Sequence, residues 1–220
     1  MKQTKTKKLT MLAMLTALAF ILTLLCRLSL FSAAPFLTYD PKDVIIVISG
    51  FLFGPLAALA VSVVVSLLEM TISQSGLIGM LMNVLATVGF ACTASIIYKC
   101  KRTIGGAVLG LIVGCFAMTA LMLLWNYLIS PLYMGVSRDV VAQMLLPVFL
   151  PFNLIKAVIN TALALLLYKP LVTALRKLRL VDTSPAGTTA NVSTTVIVSV
   201  FAVMLLAAAV LVLLKLNGVI

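Results

Sequence analysis

Apolar runs as long as a lipid bilayer is thick recur along this chain, at 9–31, 77–98, 103–129, 150–177 and 194–216. A helix needs roughly 20 apolar residues to cross the hydrocarbon core. Inside that core only helices and closed barrels satisfy their own backbone polar groups. The chain is 63% hydrophobic, with a mean hydropathy of +1.26 over 220 residues. Soluble domains are about 45–50% apolar even when Gly is counted, and a small one has too little interior to hide the excess. The sequence therefore predicts an all-α polytopic membrane bundle, too small to carry a soluble domain as well.

The first run follows MKQTKTKK. It is too long for the apolar region of a secretory signal and lacks a convincing small-residue cleavage site, so it is kept as helix 1, over 9–31. A loop through Ser32–Lys42 leads to a short helix at 43–53. Gly54-Pro55 breaks that helix, and Pro55 suits the first turn of the next, which is expected to reach Ser73. Ser73-Gln74-Ser75-Gly76 reads as a turn. A loop that can include a short helix covers 130–146. The expected division is a six-helix membrane domain over 1–180, a polar linker at 181–193 (containing DTSPAGTTANVS) and an additional spanning segment within 194–220.

The formal charge of +11 would suggest nucleic acid in a soluble protein. Here the basic residues cluster between apolar runs. Of the 16 Lys and Arg, Lys2, Lys5, Lys7, Lys8, Lys99, Lys101, Arg102, Lys169, Arg176, Lys177 and Arg179 fall on one side if the spans alternate. Lys42, Arg138 and Lys215 fall on the other, with Arg27 and Lys156 inside spans. This is the positive-inside pattern with a cytoplasmic N-terminus. It holds only if Gly54-Pro55 lies on the cytoplasmic side, and it then puts the C-terminus outside.

Catalytic signatures are missing. There is no phosphate-binding GxxxxGK[ST] loop, no GxGxxG and no histidine. Cys26, Cys92, Cys100 and Cys115 form no CxxC pair and read as core residues rather than metal ligands. The acidic residues are Asp40, Asp43, Glu69, Asp139 and Asp182. Asp40 and Asp43 flank a helix start, where capping is the favoured reading. Glu69, inside a span, could pair with a Lys or Arg, and the sequence assigns it no role. No enzyme, resident cofactor, metal or nucleic-acid partner is expected.

A polar side chain in an apolar span needs a partner or a task. Asn153 and Lys156 lie three residues apart on one face of the last core helix. They offer several donors to a ligand, or serve as an interhelical contact and a snorkelling lysine. Asn126, beside Trp125 and Tyr127, reads as a ligand contact or an interfacial anchor. The stretch Pro35–Asp43 mixes aromatic and polar groups and could close over an aromatic ligand, or be an ordinary connection. All three features fall at one membrane face, which suits a small-molecule site. Gly106, Gly110 and Gly114 repeat every four residues and favour close packing within the bundle. Ala13 and Ala17 repeat likewise and leave a partner-facing stripe open.

The strings FLTYDPKDV at 36–44, GFLFGP at 50–55, Trp125-Asn126-Tyr127 with SPLY at 130–133, and PFNLIK at 151–156 together resemble the riboflavin-specific S components of energy-coupling factor (ECF) transporters. The resemblance covers about residues 8–180. It implies a six-helix subunit that binds riboflavin from outside and works with a transmembrane coupling subunit and two cytoplasmic ATPases. It implies riboflavin contacts at Asn126, Asn153 and Lys156, a first loop covering the ligand through Leu37, Thr38 and Tyr39, and contact of Ala13 and Ala17 with the coupling subunit. It further implies that the whole subunit topples to turn its loaded site inward. Ala157 departs from the glycine frequent after the motif lysine, and 194–216 lies beyond the six-helix pattern. Another vitamin or a flavin nucleotide, or a non-transporting flavin-binding scaffold, are the alternatives.

Overall fold

Helix α1, Lys5–Leu25, places Met11, Leu15, Ala19 and Thr23 at four-residue spacing, and that stripe is its buried face. Ala13 and Ala17 fall on the opposite, exposed side. The computed structural model describes residues 5–31, 34, 36–73, 76–177 and 192–219. The helix ends six residues short of the expected Phe31. Leu28–Ser29 (β1) instead pairs antiparallel with Thr38–Tyr39 (β2), and exposed Arg27 donates through Nε to Thr38 Oγ1 at 3.1 Å. The sequence stays apolar through this point, so only the pairing reveals the stop.

Helix α2, Lys42–Phe53, has 12 residues and so a length of about 18 Å. It cannot cross a core of roughly 30 Å by itself. It is buried from Lys42 to Phe51 and forms the centre of the bundle. Gly54, at φ 96°, takes a backbone conformation open to glycine and turns the chain into α3, Pro55–Glu69, with the proline in the first turn as expected. Lys8 Nζ sits 6.0 Å over the Phe53 ring, so this hairpin turns at the same end as the start of α1. That is the arrangement the charge distribution requires. Helix α3 stops at Glu69 rather than Ser73; the Ser73 N–H closes a turn onto the Glu69 carbonyl at 2.8 Å. Of the expected turn that follows, Gln74 and Ser75 lie outside the described residues.

Helices α4 (Gly76–Thr87) and α5 (Thr93–Cys100) join through a π-helical turn, Val88–Cys92, into one rod. Helix α6, Ile104–Met134, begins at the Thr103 cap, whose side chain accepts from the Gly106 N–H at 3.0 Å. The glycine stripe lies against the rod. A methyl group on Gly110 would meet the Ala94 carbonyl oxygen at 2.7 Å, and one on Gly114 the Phe90 carbonyl oxygen at 2.6 Å. Close helix packing therefore explains the stripe. Helix α6 continues through Pro131 to Met134, and α7, Arg138–Met144, follows at once. The expected loop at 130–146 is thus mostly helical. A second π turn, Leu145–Phe149, leads into α8, Leu150–Lys177.

Helix α9, Val192–Leu216, packs on α8. Of the expected linker, residues 181–191 lie outside the described residues. Lys5–Leu25, Gly76–Cys100, Ile104–Met134, Arg138–Leu171 and Val196–Leu216 are each long and apolar enough to cross a membrane. With the α2–α3 hairpin they make the expected all-α membrane bundle. Among the cysteines only Cys92 and Cys115 are buried; Cys26 is half-buried and Cys100 exposed, which corrects the reading of all four as core.

Candidate substrate pocket

The short α2 leaves its first turn deep in the protein, so the charges at that turn must find partners there. Lys42, 1% exposed, donates from Nζ to both carboxylate oxygens of Glu69, at 2.6 Å to Oε2, and stands 3.6 Å from Asp40 Oδ1. Asn83 on α4 donates to Glu69 Oε2 at 2.7 Å. Lys42 is thus the basic partner of Glu69, a residue the sequence left without a role. Asp40 and Asp43 do not cap α2: its N-cap is Pro41, and no side chain closes the cap. Asp43 instead accepts from Thr87 Oγ1 at 3.2 Å and from Asn160 Nδ2 at 3.4 Å, with Lys156 Nζ at 3.7 Å. A buried carboxylate gains more from a lysine and two donors than from a helix end.

Above this network lies a cavity of about 950 Å³, counting its open mouth. Asn126 from α6, Asn153 and Lys156 from α8, and Leu37 and Thr38 at the end of the β1–β2 connection all line it. Three parts of the fold thereby bring together five of the residues singled out in the sequence. Asn126 Nδ2 donates to the Met122 carbonyl at 2.7 Å, and its Oδ1 accepts from Ser130 at 2.8 Å. Asn153 Nδ2 donates to the Phe149 carbonyl at 2.8 Å. Each amide nitrogen carries a second hydrogen for another acceptor. Ala13 and Ala17 are not among the lining residues and lie on the exposed face of α1.

Tyr39 points the other way. Adjacent strand residues face opposite sides, so Thr38 meets the cavity while Tyr39 is buried and donates its hydroxyl to Asn160 Oδ1 at 2.9 Å. Burial, with Asp43 and then Asp40 beside it, pushes the Tyr39 hydroxyl well above its ordinary range, so it remains a donor. Burial would raise the Asp40 carboxyl as well, but Lys42, Lys156 and Arg27 together hold it below its ordinary value.

The sequence reading did not single out Asn83 and Asn160. Both are polar residues inside apolar spans, and Asn160 continues the Asn153–Lys156 face by one turn, so the signal was present. It also missed the wall chemistry. Met70, Met80, Met82, Met118, Met122 and Met134 line the cavity, with Phe149 and Phe152 beside Asn153. Polarizable thioethers and aromatic edges make a soft apolar wall suited to a flat aromatic ligand.

Comparison with known proteins bears on this architecture. Residues 7–168 match the family described as "ECF transporter, substrate-specific component". The chain is 32% identical over 178 residues to riboflavin transporter RibU of Staphylococcus aureus (strain TCH60), covering 78% of this chain and 94% of that protein. It is 31% identical over 174 residues to riboflavin transporter FmnP of Bacillus subtilis (strain 168), covering 74% and 91%. A solved structure described as "Structure and mechanism of the S component of a bacterial ECF transporter" superposes with a TM-score of 0.69 at 32% identity, over 79% of this chain and 99% of the other. A membrane bundle with a pocket lined by buried polar groups, matched over most of its length by sequence and by fold, this chain belongs to the substrate-specific components of ECF transporters.

Proposed function

We propose that this chain captures riboflavin from outside the cell for import driven by a separate coupling module. The observation that carries this is the convergence of Asn126, Asn153 and Lys156 in the lining of a cavity that is also walled by methionine and phenylalanine. Riboflavin has a flat aromatic ring system with one apolar edge, one edge of carbonyl and N–H groups, and a hydroxylated tail. The soft walls would take the ring faces, and the amides and the lysine the polar edge. A phosphorylated flavin would need a free cation. Lys42 is engaged by Glu69 and Lys156 stands beside Asp43; Arg27 gives its Nε to the neutral Thr38 hydroxyl and keeps its charge, so a phosphate would meet one lining cation without a carboxylate beside it, and the unphosphorylated vitamin is the preferred ligand. The names of the matched relatives agree with this reading.

In this proposal the N-terminus is cytoplasmic and the pocket opens outside. Residues 1–180 are the substrate-binding membrane domain, 181–193 a polar linker and 194–220 an additional spanning segment. The partners are a transmembrane coupling subunit and two ATPases, with no resident cofactor. The decisive experiment is the visible absorption spectrum of protein purified in detergent from cells grown with riboflavin. A yellow chromophore near one per chain, released on denaturation and identified as riboflavin, is the expected result. A colourless protein that also fails to quench added riboflavin fluorescence would remove riboflavin as the ligand.

Ala13 and Ala17 lie on the exposed face of α1, and small residues spaced by four let another helix approach closely. We assign this face to the coupling subunit. Replacing both by leucine should leave flavin quenching unchanged and lower ATP-driven uptake by about tenfold or more, the effect of losing roughly 1.4 kcal/mol or more of helix association. Uptake equal to wild type in cells carrying the coupling module would remove this assignment.

A further inference from the structure

The match to the family ends at residue 168, yet α9 does not merely lie in lipid beside the core. Much of its surface is exposed and apolar, including Val196, Ile197, Val200, Met204 and Leu211, as expected of a lipid-facing helix. Its final turns differ. Ala209, 5% exposed, is buried in a cluster with Phe31, Ala34, Phe152 and Ile155, and Leu213 packs against the same group. At the helix end Asn217 donates from Nδ2 to the Leu30 carbonyl at 2.8 Å, while also reaching the Leu213 carbonyl at 3.0 Å. Leu30 follows β1 directly and has no strand partner for this carbonyl in the two-residue ladder. The side-chain amide therefore fixes the chain where it leaves β1.

This contact reaches the pocket in one step. Phe31 and Phe152 have ring centroids 6.0 Å apart, and Phe152 lines the cavity beside Asn153. Leu37, from the same connection, belongs both to the cavity wall and to the cluster that holds Ala209. Helix α9 thus backs two wall residues, Phe152 through Phe31, and Leu37 through the shared cluster.

We propose that α9 is a buttress added to the six-helix core, in which Asn217, Ala209 and Leu213 are positioning residues that hold the Leu30–Phe31 segment, and with it the Phe152 and Leu37 wall, in the ligand-retaining arrangement. The consequence for ligand rests on the riboflavin reading above; the consequence for the segment does not. The geometry assigns α9 control of how long a ligand stays rather than of which ligand is chosen, since none of its residues lines the cavity.

The test uses the full-length protein in detergent and two readouts. Backbone hydrogen exchange without flavin, read on peptides spanning Leu28–Tyr39, should quicken roughly three- to tenfold in Asn217→Asp, which keeps the shape and removes the donor, as for one lost hydrogen bond. Exchange in α2 and α3 should not change. Asn217→Gln, which keeps an amide donor, should restore most of the protection, and Ala209→Leu, which wedges the buried seat, should act like Asn217→Asp. Leu216→Ala, exposed on the same turn, is the control. Riboflavin release, followed by recovery of flavin fluorescence, should quicken by a similar factor in the same variants. Unchanged exchange in both Asn217→Asp and Ala209→Leu, or a uniform rise across the whole bundle, overturns the buttress. Quickened exchange with unchanged release overturns its control of residence time. Wild-type protein that binds no riboflavin defeats the functional reading alone and leaves the exchange result to decide the buttress.

Discussion

Replacing Glu69 with alanine should be the most destabilising single change in this protein, lowering its stability by about 3–5 kcal/mol, as for other buried ion pairs deprived of one partner. Lys42 and Glu69 are both nearly inaccessible, and Glu69 takes Lys42 and Asn83 together. Without the carboxylate, a lysine at the root of the central helix keeps Asp40, at 3.6 Å, and the more distant charge of Asp43 against the cost of burying its own charge. The measurement is a denaturation curve in mixed detergent followed by the fluorescence of Trp125, the one tryptophan in the chain. The double variant Lys42→Met with Glu69→Met should recover part of the loss, because it strands no lysine. A Glu69→Ala curve that overlays wild type would mean that Lys42 reaches water in the membrane, and the buried network would then not describe the working protein.

Asn153→Ala and Lys156→Ala should each weaken riboflavin binding by about 1–3 kcal/mol, the range for a buried polar contact left unmade, or roughly 5- to 150-fold in Kd. The two should differ in what else they change. Asn153 bonds locally, to the Phe149 carbonyl in the π turn that leads into its helix, so its loss should leave the Trp125 unfolding curve nearly in place. Lys156 also faces Asp43, so its loss should destabilise as well as weaken binding, softened by the Thr87 and Asn160 donors that Asp43 retains. Titration of quenched flavin fluorescence against each variant is the check. Wild-type affinity in both would remove these residues from the ligand site, whatever the absorption spectrum shows.

Much of this protein could be read before any fold was known, because hydropathy is set residue by residue by the surrounding solvent. Apolar runs, the Gly54-Pro55 break and the basic clusters specify a membrane bundle and the relative sidedness of its turns. The cost of burying a polar group in lipid picked out Asn126, Asn153 and Lys156, and the motifs around them led to the family. The same argument applied to every span would have added Asn83 and Asn160. What pattern could not supply is partnership. Lys42 and Glu69 are 27 residues apart, and nothing local says that one neutralises the other or that Asp43 turns inward to Lys156 instead of capping its helix. Helix α1 stops at Leu25 within an apolar run because a strand 13 residues downstream captures Leu28 and Ser29. The methionine wall gathers residues from α4 and α6 and from the turn after α3, none of which is a motif alone. Solvent preference is carried by each residue and survives in one dimension. Charge pairing and cavity shape are properties of residues distant in sequence brought within a few ångströms, so only the tertiary structure decided them.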